Sequence, residues 1–164
     1  MNSIKQFLFY LISSFSLAVI VYYILWLIMP HNSVFGSWFR MYSYHHENPL
    51  PFIFIPCFFY AVFAKLFSPK FENSNAFKRF RITALMVILI IFISSPLGGM
   101  LYFYFDMKAG YFPDNWLSIM IENGVSAGLS LGWLIVLLSF PYNVIGIIVC
   151  YLLTKKGSKL IMNL

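Results

Sequence analysis

Three histidines and a glutamate, His31, His45, His46 and Glu47, are the residues of this sequence with the most obvious chemical capacity. Neutral imidazole nitrogen and carboxylate oxygen are ordinary ligands of zinc or copper. Asp106 could join them from a second connecting segment. The spacing argues against a metal. Adjacent side chains such as His45 and His46 rarely reach one ion together, and no H-x-x-x-H pair is present. Histidines in an aromatic segment at a membrane surface need no metal, so neither a metal nor any other cofactor is expected.

Hydrolytic chemistry is weaker still. An intramembrane serine protease needs a base beside its serine, and an aspartyl type needs two carboxylates inside the spans. Serines are plentiful, but no His, Lys or Asp falls at the centre of an apolar run. The chain is therefore read as non-enzymatic. Its two cysteines, Cys57 and Cys150, form no C-x-x-C pair, which disfavours a disulfide oxidoreductase. Residue counts along straight spans place them more than ~20 Å apart in depth, against the ~7 Å that a bridge tolerates between Cα atoms. Both are expected to be free, buried thiols.

Two features speak of packing or passage. Gly124, Gly128 and Gly132 recur every fourth residue, and small residues at that spacing let helix backbones approach closely. They would form a groove for another helix or for a second copy of the chain. The competing reading is that Gly124 ends a surface helix and Gly128 starts the turn into a span. Ser94, Ser95, Pro96, Gly98 and Gly99 interrupt one apolar run, and Pro141 and Asn143 interrupt another. Broken helices near mid-membrane line substrate paths in transporters, although Pro and Gly are also tolerated in spans for packing alone. Coupled carriers usually hold an ionisable group inside the membrane, and none is present at mid-span here. That absence weighs against transport.

These residues must be positioned by helices in a bilayer. Of 164 residues, 61% are apolar and 10% are charged. A soluble domain has roughly 45–50% apolar and about 25% charged residues. A chain of this size cannot bury so much apolar surface in water. The aromatic share of 21% suits lipid-facing positions and interfacial belts. The expected fold is all-α: one membrane domain over 1–164, built as a bundle of four transmembrane helices.

The first span is expected over 7–29, about 35 Å of helix for a hydrocarbon core of ~30 Å. It is too long for a signal-peptide core and no small-x-small site follows, so it is read as uncleaved. The others are expected over 50–67, 82–105 and 128–153. Pro51 can start the second, and Pro56 should bend it. Segment 30–49 is an aromatic outer loop. Segment 106–127 is a second outer loop, with a short amphipathic surface helix over 115–122 capped by Asp114.

Charge sets the orientation. Stretch 65–81, KLFSPKFENSNAFKRFR, is read as a cytoplasmic loop with breaker signals at Ser68-Pro69 and Asn73-Ser74-Asn75. It carries Lys65, Lys70, Lys78, Arg79 and Arg81 against Glu72 alone. Lys155, Lys156 and Lys159 form a basic tail, and Lys5 lies in the leader. With both termini inside, only Arg40 and Lys108 of the 11 Lys and Arg fall outside. Such a split follows the positive-inside rule. The net charge of +6 is thus explained by topology and by anionic lipid headgroups, without nucleic acid as a partner.

The layout of short leader, basic central loop and basic tail resembles small uncharacterised four-span membrane proteins of Gram-positive bacteria. The resemblance implies the bacterial cytoplasmic membrane as location and carries no functional residue with it. The expected role is an accessory, immunity or regulatory one, exerted by helix packing on a membrane-protein partner or on a second copy. The alternative is a small transporter or channel subunit whose path is lined by the kinked third and fourth spans.

Overall fold

The structure, a computed structural model, describes residues 3–28, 49–110, 112–138 and 142–159. Of these, 93% are helical, and no strand occurs among them. Five helices follow in order: α1 (Ser3–Ile28), α2 (Leu50–Glu72), α3 (Ala76–Ala109), α4 (Trp116–Leu138) and α5 (Tyr142–Lys159). Three of them, α1, α2 and α3, are long and apolar enough to cross a membrane. Leu27 is 82% exposed and Ile4 69%, which lipid accepts and water does not. The interior is small: Tyr10, Tyr60, Ala61, Ala64, Met86 and Ile90 form its buried centre, between α1, α2 and α3, with Cys150 and Leu153 of α5 packed against it. Ala61 and Ala64 have no exposed surface, and their small side chains let neighbours come close to α2.

The basic stretch is not the loop expected over 65–81. Helix α2 continues through Ser68-Pro69 to Glu72, and α3 starts at Ala76, leaving only 73–75 as a turn. The reason lies in how the helix end is satisfied. The last four carbonyls of a helix lack intrahelical donors and must find others. Here each has one. The Asn73 N–H donates to Pro69 O at 3.4 Å, and the Ser74 hydroxyl to Lys70 O at 2.5 Å. Phe71 O takes the Ser74 N–H at 3.3 Å and Arg79 Nε at 3.0 Å. Glu72 O takes Arg79 Nη2, also at 3.0 Å. The Asn75 side chain then caps α3 by accepting from the Lys78 N–H at 2.9 Å. Pro69 costs α2 one internal hydrogen bond, but it lies within a turn of the helix end, where the loss is tolerated.

The far end of the bundle also departs from expectation. The separate surface helix over 115–122 does not form. Trp116–Leu138 is one helix, so Gly124 lies inside it and ends nothing. The span expected over 128–153 is divided between α4 and α5, with 139–141 outside the described residues. Pro141 falls there, and the first connecting segment with His31, His45, His46 and Glu47 lies outside them as well. At this end Tyr104, Phe112 and Trp116 meet edge to face in sequence, with ring centroids 6.1 and 5.5 Å apart. Such a chain of amphipathic rings suits the headgroup level.

Candidate functional site

Helices α1, α2 and α5 converge at the basic end through a buried polar cluster. Gln6 and Tyr10 lie one turn apart on α1, Tyr60 and Ser68 two turns apart on α2, and Thr154 on α5. Gln6 Nε2 donates to Ser68 Oγ at 2.9 Å, and the Tyr10 hydroxyl lies 3.2 Å from the same oxygen. Tyr10 also donates to Thr154 O at 3.5 Å. The Tyr60 hydroxyl lies 3.0 Å from Thr154 Oγ1 and donates to Cys150 O at 3.3 Å. Thr154 Oγ1 in turn reaches Cys150 O at 2.8 Å. A polar group withdrawn from water is costly unless it is hydrogen-bonded, so this mutual saturation makes the burial tolerable. In membrane proteins such bonds contribute about 0.6 kcal/mol each on average, so the cluster aligns the helices more than it stabilises them.

Gly157 completes the cluster by absence. A Cβ at this position would fall onto the Tyr10 ring, 2.6 Å from Cζ and 2.8 Å from the hydroxyl oxygen. Tyr10 is fully buried, so its ring can sit there only because Gly157 has no side chain. Sequence reasoning missed this cluster. The available signal was four-residue spacing: Gln6 and Tyr10; Tyr60, Ala64 and Ser68; Cys150, Thr154 and Ser158.

A second contact joins α3 to α4. Cβ atoms on Gly99, Gly124 and Gly128 would strike the facing backbone: Gly99 against Gly128 N at 2.9 Å, Gly124 against Met100 Cα at 2.6 Å, Gly128 against Pro96 Cα at 2.7 Å. One on Gly132 would meet Ser95 Cβ at 2.5 Å. The glycine face of α4 is therefore applied to 95–100 of α3, within the same chain. Gly98 points elsewhere, with nothing within 4 Å of its missing Cβ. Two backbones in direct contact leave no room for a solute between Ser95, Pro96 and Gly99 and the facing glycines. Ser94 sits beside this seam, its hydroxyl oxygen buried with no hydrogen-bond partner among the described residues.

The open space lies on the other side. A half-open cavity of about 570 Å³ is lined by α1, α2, α3 and α5, with walls that are almost entirely apolar. Its floor toward the basic end is Tyr60, which belongs to the polar cluster. Asn143 and Gly146 of α5 line it beside the division between α4 and α5. Cys57 and Cys150 line it too, both as free thiols. They do not lie more than ~20 Å apart in depth. The expected fourth span is shared between two helices, α4 and α5, so counting residues along one straight helix does not measure depth.

The basic residues gather where α2 ends, α3 starts and α5 finishes. Lys65 and Lys70 lie on α2; Lys78, Arg79 and Arg81 on the first turns of α3; Lys155 and Lys156 near the end of α5, of which Lys159 is the last residue. Arg79 stacks over Phe71 at 5.6 Å and Arg81 over Phe77 at 5.9 Å. No group of three or more His, Cys, Asp or Glu residues that could hold a metal ion occurs among the described residues.

A helical membrane protein is the class that these apolar helices define. No protein-family model matches the chain, and no curated protein or solved structure is measurably similar to it.

Proposed function

We propose that the chain is a non-enzymatic accessory protein of the bacterial cytoplasmic membrane. In this reading α4 and α5 together make a fourth crossing, and both termini face the cytoplasm. It acts by packing its helices against a membrane-protein partner, in an immunity, stress-response or regulatory role. One observation carries this reading. The cavity walls hold two free thiols, Cys57 and Cys150, but no charged side chain beside them, and the buried polar cluster spends its hydroxyls and amide on internal hydrogen bonds. What remains to be recognised is the apolar outer surface, for which Ile12, Ile20 and Ile24 of α1 are examples.

Crosslinking in native membranes, with the captured species identified by mass, tests it. A distinct membrane protein captured at fixed stoichiometry is the expected result. Recovery of the chain as a single uncoupled copy would overturn the proposal.

The second reading, a small transporter or channel subunit, draws on the cavity beside the divided span, since discontinuous helices frame binding sites in many carriers. The path would then run between α1, α2, α3 and α5, not through the α3–α4 seam. It predicts solute flux in proteoliposomes that falls at least tenfold in Asn143→Leu, a change that removes the amide from the cavity wall. Equal flux with and without the protein removes this reading.

A further inference from the structure

A second, smaller cavity of about 250 Å³ opens between α3 and α5 at the basic end. It is lined by Ala76 and Phe80 on one side and Ile147, Ile148 and Tyr151 on the other. These walls are mostly apolar, and the lining residue Phe80 is 53% exposed. On α5 the lining residues Ile147 and Tyr151 are four apart, and Lys155 is the next residue of the same stripe. On α3, Arg79 follows Ala76 by three and so shares its side of the helix. Its guanidinium lies over Phe71, and the Phe71 ring meets the Tyr151 ring at 5.6 Å. Arg79 is thus one ring removed from the lining residue Tyr151, through Phe71, and Lys155 follows Tyr151 by one helical turn. Arg79 gives two N–H groups to the end of α2 and keeps three of the five a guanidinium carries. Glu72 is the acid nearest these residues in sequence, and it is half-buried with Oε1 out of contact with solvent.

We propose that this groove binds one anionic phospholipid, an acyl chain lying against Phe80, Ile148 and Tyr151 and the phosphate meeting Arg79 and Lys155. Charge complementarity argues for this occupant. An apolar slot between helices, with two cations near it at the basic end, matches a lipid with an apolar tail and a negative head. A basic pocket between membrane helices on the cytoplasmic side is a recurring headgroup site. The inference does not depend on the accessory role. It does depend on the basic end lying at an anionic leaflet, which thiol labelling of engineered cysteines at the two ends would establish separately.

The test uses the full chain, purified in mild detergent, equilibrated with phosphatidylglycerol or phosphatidylcholine, and weighed intact by native mass spectrometry. Retention of one phosphatidylglycerol in preference to phosphatidylcholine is expected. Lys155→Gln should lower that retention roughly fivefold, the factor for one cation near the headgroup. Ile148→Trp, which fills the slot from an exposed position, should lower it at least as much. Lys5→Gln, on the exposed start of α1, should leave it unchanged. Equal retention of the two lipids in the unaltered chain would overturn the proposal. So would equal losses in Lys5→Gln and Lys155→Gln, which mark diffuse attraction. Displacement of the lipid by inorganic phosphate alone would show an anion site without a tail groove. A lipid-free dimer would show that a second copy fills the slot.

Discussion

Gly128→Leu separates α3 from α4 and costs the protein more than about 3 kcal/mol, the upper range for overpacking. The magnitude follows from what the new side chain meets. A Cβ at Gly128 already lies 2.6 Å from Ser95 C and 2.7 Å from Pro96 Cα. Backbone atoms cannot rotate away as a side chain would, so the two helices must move apart along the seam. The neighbouring glycines then lose their contacts as well. Reversible unfolding in mixed micelles measures the loss. Gly98→Ala provides the internal control, because nothing lies within 4 Å of that position and alanine favours helix by about 1 kcal/mol. Gly98→Ala should be neutral or stabilising, and Gly99→Ala should resemble Gly128→Leu. Equal effects at Gly98 and Gly99 would refute the seam.

The second large effect is reciprocal. Tyr10→Ala empties the centre of the polar cluster, and loss of a buried aromatic side chain costs about 3–5 kcal/mol in a packed core. Gly157→Leu forces a side chain onto the Tyr10 ring and should cost about 1–3 kcal/mol. Together they should be less harmful than their sum by at least about 1 kcal/mol, because the leucine enters the space the tyrosine vacates. Interaction energies of this size are usual for residues in contact. Strict additivity in the same unfolding assay would mean that α5 does not dock on α1 through this pair.

Much of this architecture was legible in the amino-acid order. Residues 7–28 of the first expected run, and the runs 50–67 and 82–105, fall within α1, α2 and α3, because twenty or so apolar residues in succession leave a chain few alternatives. The four-residue recurrence of Gly124, Gly128 and Gly132 was readable as a close-packing face, but not its partner, since spacing on one helix says nothing about which neighbour meets it. The stretch 65–81 was misjudged for an instructive reason. Ser68-Pro69 and the run of charges look like a loop, yet the side chains of Ser74 and Arg79 complete the helix end from outside, and Arg79 is seven residues beyond Glu72. The polar cluster was invisible for another reason. Gln6 and Ser68 are 62 residues apart, and Tyr10 and Thr154 are 144 apart. Four-residue spacing marks these polar residues as faces of their own helices, but it does not say that three such faces meet.

The closure of the α2–α3 turn has a consequence for biogenesis. Every donor that completes the α2 terminus lies between Asn73 and Arg79, so the corner requires nothing from α1, α4 or α5. A nascent chain that has just emerged past Arg79 already holds all the groups needed to make it. The α2–α3 pair can therefore form as a helical hairpin before the rest of the bundle is made. α4 then arrives to find the Ser95–Met100 surface already in place, and α5 docks last, closing the tyrosine cluster over an N-terminal helix made at the outset.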